Sequence, residues 1–262
     1  MSALVKAAAG LGVVATVTTG GYFLFADGSI EVFVISDKGS IDSVYKTGTF
    51  GNAYADYMAD PLEEKNKPFW GAAFKKWQSD SGQKGVKFTS VEFAYKDDSE
   101  QAKEKALNQI CKTAFEAQKT DVASGNTADD ANEFKESEVW KYCSASRTGS
   151  KPVLLKDSQN QEDLKLITAA GSTETWGKKS KDHLVSTKNT SNDWFWELKE
   201  KKFSSEKDSE TVGEQNIFKT RKRNGNSVKQ ACQLAYVKDS TNSTAQVEEA
   251  DLKKYCYFEK VT

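Results

Sequence analysis

A chain of 262 residues has room for one large domain or two small ones. Lys plus Arg is 37 against 38 for Asp plus Glu, a net charge of −1, which excludes the basic face of an electrostatic nucleic-acid binder. At 37% hydrophobic and 29% charged it is no polytopic membrane protein, and its single histidine, His183, excludes His-rich metal sites.

Only Arg147, Arg221 and Arg223 among the basic residues are Arg; the rest are Lys. Physical chemistry gives no reason for that skew, because Arg serves a surface equally well; it reads as codon usage in an A+T-rich genome. Three Pro and an aromatic fraction of 11% argue against disorder and supply the bulk for a core.

The run Ala7 to Phe25 (AAAGLGVVATVTTGGYFLF) carries no charge. At ~1.5 Å per residue it approaches the roughly 30 Å of a hydrocarbon core. The expectation is a single membrane helix inserted in the lipid bilayer, within an anchor or signal region 1–26, with Tyr22 and Phe23 at an interface. Two alternatives stand beside it. One is a cleaved signal with Lys6 before the apolar stretch Ala7–Val17, although Leu24-Phe25-Ala26 is a poor cleavage site. The other is a buried helix of the folded domain. Ala8, Gly12, Thr16 and Gly20 fall on one helix face, so a weak dimer through Gly12 and Gly20 is a further expectation. Lys6 before the run places the N-terminus inside and the bulk of the chain outside the cell membrane.

Downstream, 27–47 reads as a linker containing a short strand, Ile30–Ile35. Ala53–Asn66 and Phe69–Ser79 read as helices, the latter through Phe69, Ala73, Phe74 and Trp77. Gly85–Tyr95 alternates as a bulged strand. Leu107, Ile110, Cys111, Ala114 and Phe115 lie on one helical face, with Ser99 as N-cap. Ala123–Ala131 and Ser204–Glu214 read as solvated loops. Val228, Ala231, Cys232, Ala235 and Tyr236 repeat the helical spacing after a cap at Asn226 or Ser227.

That repetition is the most informative feature. Leu107–Phe115 aligns without gaps to Val228–Tyr236, with Gln109/Gln230, Cys111/Cys232 and Ala114/Ala235 identical. Glu138–Cys143 aligns to Asp251–Cys256 and ends in the same Lys-Tyr-Cys. Phe69, Trp70, Phe74 and Trp77 have a looser echo in Trp194, Phe195 and Trp196. The reading is a mainly α fold with minor β (α+β): one membrane helix followed by two tandem copies of a small domain, 48–150 and 159–262, joined by a linker at 151–158.

There are four cysteines, two per copy, and no C-x-x-C. The repeat selects Cys111–Cys143 and Cys232–Cys256 from the three possible pairings; the alternative is four buried free thiols.

No phosphate loop, nucleophile elbow or H-E-x-x-H occurs, so no catalytic, cofactor-binding or metal residue is assigned. Arg221-Lys222-Arg223 reads as a solvated turn, with an anion patch as alternative. His183, alone in a polar stretch, reads as structural or surface. Trp194-Phe195-Trp196 reads as core, against an exposed ligand platform.

The start MSALVKAAAGLGVVATVTTGGYFLF, the Lys bias and the copies ending in Lys-Tyr-Cys resemble the paralogous surface proteins of haemotropic mycoplasmas. The likeness is strongest over residues 1–26. It implies exposure on a wall-less cell and a role in antigenic variation or red-cell attachment, with a host-cell surface ligand as partner. It carries no catalytic or binding residue. The expected function is therefore a membrane-anchored, surface-exposed binding or antigenic protein. The alternatives are an anchored extracellular hydrolase working through carboxylates and an inward-facing membrane protein with reduced thiols.

Overall fold

The computed structural model describes residues 21–25, 28–39, 41–123, 133–168, 174–206, 216–241 and 246–259. Strands β1 (Gly21–Phe25) and β2 (Gly28–Val32) form an antiparallel hairpin that pairs Gly21 with Val32 and Phe25 with Gly28. The expected membrane helix therefore does not run to Phe25. Its last five residues are strand, and Ala7–Gly20, with Gly12 and Gly20, lie outside the described residues. Among the described residues no helix is long and apolar enough to cross a membrane.

The segment read as a linker, 27–47, contributes to the core. Val32, Phe33, Val34 and Ile35 are buried, a 3-10 turn covers Ile35–Lys38, and α1 (Ile41–Val44) leads to buried Tyr45. Helix α2 (Phe50–Ala53) is a single turn capped by Thr49, whose hydroxyl accepts the Asn52 N–H. The helix expected over Ala53–Asn66 stops there. Tyr54, Ala55, Tyr57, Met58 and Ala59 are all buried, which one helical face cannot achieve. Extended backbone instead bridges Met58 to Ser144 and Ala59 to Val34. Helix α3 (Lys67–Ser79) forms as expected, with Pro68 in its first turn and Phe69, Trp70 and Ala73 buried.

The strand expected at Gly85–Tyr95 is instead a short 3-10 turn, Val86–Phe88, followed by irregular chain. Buried Phe88 is fixed by its carbonyl, which accepts the Trp77 indole N–H at 3.0 Å, and only Phe93 makes a bridge, to Ala106. Helix α4 (Leu107–Glu116) follows Ala106, so Ser99 is not its cap. Strands β3 (Val122–Ala123) and β4 (Phe134–Lys135) pair in parallel and α5 (Glu136–Cys143) closes the first half.

The second half contains α6 (Gln161–Thr168), α7 (Trp176–Lys179), α8 (Asp193–Ser205), α9 (Ile217–Asn224), α10 (Val228–Tyr236) and α11 (Glu249–Tyr255). Arg221-Lys222-Arg223 lies on α9 rather than in a turn, and Gly225 at φ +69° ends that helix. Ser227 caps α10 in a reciprocal box with Gln230. The chain is mainly helical with minor β structure and two disulfides.

One set of contacts occurs in both halves, at matching positions. Asn66 is fully buried; its Oδ1 accepts the Phe33 N–H at 2.9 Å and its Nδ2 donates to the carbonyls of Phe33 and Asp60 at 2.8 and 2.9 Å. Asn192, also fully buried, accepts from the Val153 N–H at 2.7 Å and donates to the carbonyls of Val153 and Ser186, both at 2.9 Å. Thr49 and Thr175 cap the short helices α2 and α7. Gly51 and Gly177 follow, where a Cβ would lie 2.7 Å from the Phe115 Cβ or 3.0 Å from the Tyr236 carbonyl. Ala59 N–H donates to the Cys143 carbonyl, and Val185 N–H to that of Cys256.

The shared Lys-Tyr-Cys gains a physical meaning here. Lys141 and Tyr142 both donate to Asp80 at the end of α3. Lys254 and Tyr255 both donate to Glu206 at the end of α8, at 2.7 and 2.6 Å. The third residue of each triplet forms a disulfide: Cys111–Cys143 joins α4 to α5, and Cys232–Cys256 joins α10 to the end of α11. Each closes a loop worth ~3–4 kcal/mol on the chain-entropy account.

Asn192→Ala removes three hydrogen bonds and leaves the Val153 N–H without its acceptor, while the Val153 carbonyl keeps the Ser186 N–H. Unfolding free energy should fall by about 3 kcal/mol, and Asn66→Ala by a similar amount, read from urea denaturation midpoints. A loss below ~1 kcal/mol in both would show that the clamp is dispensable.

Hydrogen bonds from Lys141 and then Tyr142 hold the Asp80 carboxyl well below its ordinary pKa. A carboxyl depressed in the folded state adds stability that is complete above its unfolded pKa near ~4 and is lost as pH falls toward the folded value. Acidification from pH ~5 to ~2 should thus cost Asp80→Asn less stability than the native chain. Parallel pH profiles of the urea midpoints would contradict this.

Candidate functional site

The two halves share one hydrophobic core, and the joint between them is aromatic. Helix α8 carries Trp194, Phe195 and Trp196, all buried, as the core reading expects. Trp194 meets Tyr57 edge-on at 6.0 Å and Trp140 at 6.4 Å, while Phe195 stacks on Tyr57 at 5.8 Å. Three adjacent aromatics are buried together because the helix is enclosed: Trp194 and Phe195 face the first half, and Trp196 donates its indole N–H to the Ser186 carbonyl at 3.3 Å.

Polar contacts fix the register of that seat. Lys199 Nζ lies 5.6 Å from the centre of the Tyr57 ring and donates to the Lys254 carbonyl. Lys202 pairs with Asp56 at 3.2 Å and Lys201 with Asp37 at 3.8 Å. Burial is the main influence on the last pair: it raises the Asp37 pKa against the opposing effect of Lys201, and lowers that of Lys201 against Asp37. Burial disfavours both charges and offsets part of what the pair contributes, so its clearest effect is to fix α8 against the Ile35–Lys38 turn.

An open cleft of about 470 Å³ lies in the second half. The chain Lys151–Leu154, the 3-10 turn Leu155–Asp157, the turn at Asp182–His183 and the terminal pair Phe258–Glu259 form it. The size suits a small ligand or an inserted side chain. Pro152, Leu154 and Phe258 are its apolar part. Phe258 reaches across the joint to stack on Tyr54 at 5.5 Å. Lys151 pairs with Glu136 at 2.7 Å and Lys156 with Asp182 at 3.5 Å. Glu259 accepts from the Tyr54 hydroxyl at 2.8 Å and from Lys119 at 3.1 Å. Burial pushes the Glu259 carboxyl up, but those two donors outweigh it and its pKa lies below the ordinary value.

His183 is exposed at the rim, its ring stacked on Tyr257 at 5.3 Å and 14°. It matches the surface role read from sequence. The four cysteines read as disulfide residues, Cys111, Cys143, Cys232 and Cys256, are all bonded, so none is a thiol nucleophile or ligand. Among the described residues no group of His, Cys, Asp and Glu is arranged to hold a metal.

No family model, curated protein or solved structure matches this chain.

Sequence reading missed the cleft because three distant segments build it. It also missed the acids Asp80 and Glu206, although the shared Lys-Tyr-Cys was a signal that two donors in each half need an acceptor.

Lys201→Ala alone leaves Asp37 half-buried beside Asp56 and should lower stability by about 1 kcal/mol. Asp37→Asn combined with Lys201→Met should come within about 1 kcal/mol of the native chain in thermal or urea unfolding. A double variant worse than the sum of its single variants would instead make the pair a net source of stability.

Proposed function

We propose that this chain is a surface-exposed binding protein, carried to the membrane by the apolar segment ahead of β1 and presenting two related, disulfide-stapled units outside. The observation that carries this reading is the oxidation of every cysteine in two bonds at matching positions, with no free thiol. Such bonds persist in oxidising compartments and are rare in reducing ones.

Three further features support it. The Asn clamps, threonine caps and acid–Lys–Tyr grips recur pairwise, which supports a duplication whose units begin near Phe33 and Val153 rather than at residues 48 and 159. The cleft mixes apolar and charged side chains without a nucleophile and base in contact. The net charge near zero gives no general attraction for a polyanion, so recognition rests on local shape and pairing.

The test is labelling of intact cells with a membrane-impermeant maleimide, followed by protease shaving. The expected result is no labelling until an impermeant reductant is added, then labelling of all four cysteines, with release of large fragments by protease. Labelling without reductant, seen only after lysis, would overturn the reading and place the chain inside with reduced thiols.

A further inference from the structure

The cleft acquires a specific meaning when its residues are matched to their counterparts in the first half. The interval that relates Asn66 to Asn192, Thr49 to Thr175 and Gly51 to Gly177 also relates Asp56 to Asp182 and Tyr57 to His183. The bridges Val34–Ala59 and Leu154–Val185 relate the upstream segments in the same way, and bring Asp37 onto Asp157. In the first half, Asp37, Asp56 and Tyr57 form the seat of α8: the two aspartates take Lys201 and Lys202, and Tyr57 takes Phe195 and Trp194. In the second half, Asp157, Asp182 and His183 line the open cleft. The halves thus pack head to tail, and a heterologous contact of this kind fills one seat and leaves its counterpart open.

We infer that this cleft is a docking seat for an amphipathic helix of a partner protein, one carrying an aromatic residue followed six and seven positions later by two lysines, as Phe195 is followed by Lys201 and Lys202. This deepens the binding reading by naming the class of partner.

Charge and shape support that occupant. Both aspartates are retained, and Asp182 has a side chain 55% exposed, paired among the described residues with Lys156 alone, at 3.5 Å. Pro152, Leu154 and Phe258 offer an apolar floor for the aromatic residue. A ring is kept at the Tyr57 position as His183, and it is exposed where Tyr57 is buried under α8. A second copy of this chain fits less well. Helix α3 carries Phe69, Lys75 and Lys76 at the spacing of α8, but Phe69 is already buried and Pro68 stands where α8 has Trp194. Lys151 and Lys156 stand where the first half has Glu31 and Ser36, so the incoming helix must displace Lys156 from Asp182.

The probe is a fluorescent synthetic peptide with the sequence of residues 193–205, DWFWELKEKKFSS, added to the purified, oxidised full chain and followed by anisotropy. Saturable binding is expected. It should weaken at least about tenfold in the Asp157→Lys, Asp182→Lys chain. It should weaken equally when the peptide lysines matching Lys201 and Lys202 are changed to Glu, and it should recover when the reversed chain meets the reversed peptide. Lys156→Ala, which releases Asp182, should tighten it. Thermal unfolding checks that the variants remain folded. Three results would overturn the inference: no binding to the native chain, binding indifferent to both aspartate reversals (displacement of the internal α8), or concentration-dependent self-association abolished by those reversals, which makes a second copy the occupant. Because the assay uses purified protein, its failure is separate from any failure of the surface reading.

Discussion

The structure depends on two asparagines. Each half has a short extended segment, buried at Phe33–Val34 and half-buried at Val153–Leu154, and among the described residues no large sheet satisfies its backbone. A buried amide or carbonyl without a partner costs about as much as a lost hydrogen bond. The carboxamide answers both needs, because it accepts from the segment's N–H and donates to its carbonyl. Its remaining N–H reaches back to the turn six residues earlier, at Asp60 or Ser186. Asn66 and Asn192 also stand at the starts of α3 and α8. One side chain therefore fixes the distance between an extended segment, a turn and the first turn of a helix. No other side chain can do this at that size: Asp has no donor and Gln is longer by a methylene.

From that clamp the rest of each unit is placed in order. The helix it starts runs to an acid, Asp80 or Glu206, that the Lys-Tyr pair of the last helix grips. The next residue of that helix holds a disulfide to α4 or α10. Those helices in turn press a backbone carbonyl and Cβ against Gly51 or Gly177, where a side chain would collide. Extended segment, turn, long helix, cysteine helix and closing helix form a closed circuit of contacts. The aromatic joint at Tyr57, Trp140, Trp194 and Phe258 then connects two such circuits into one core.

The parts of this plan legible in the sequence are those set by local periodicity or by self-similarity. The helical spacing of Leu107 to Phe115 and Val228 to Tyr236 gave α4 and α10, because each buries a single stripe. Self-similarity gave the disulfide pairing. What escaped was burial that local period does not record. Tyr54 to Ala59 resembles a helix in composition, yet it is enclosed on all sides and its backbone bonds go to Val34 and Cys143. Gly85 to Tyr95 alternates like a strand, yet it bridges another segment only at Phe93, while the Gly85 N–H and the Phe88 carbonyl go to the side chains of Glu138 and Trp77. Residues 27–47 looked like a linker because their partners lie outside any short window: Asn66 clamps Phe33, Met58 accepts the Ile35 N–H, Phe115 meets Tyr45 and Lys201 pairs with Asp37. The cleft was invisible for the same reason: no short window contains Asp157, Asp182 and Phe258.

The two units show which of these constraints tolerate change. The Asn clamp, the caps, the glycines and the cysteines are the same in both. The acid in the grip is Asp80 in one and Glu206 in the other, since either carboxylate can accept two donors. The polar contact beside the clamp is met by Asp60 with Lys38 at 2.8 Å in the first unit, and by Ser186 donating to Asp163 in the second. The carboxylate thus moves to another element: Asp60 meets a cation, whereas the fully buried Asp163 is held by the hydroxyls of Ser158 and Ser186. Tyr57 and His183 differ in another way. Tyr57 is confined beneath α8, with its hydroxyl donating to the Phe258 carbonyl at 2.8 Å, so its shape is fixed by both halves. His183 faces solvent, with its ring stacked on Tyr257. On the proposed duplication, the seat beneath α8 is constrained by packing against its own chain and the cleft is not. The two aspartates at that cleft, beside residues that differ from their counterparts in the first half, are where an external constraint would leave its mark.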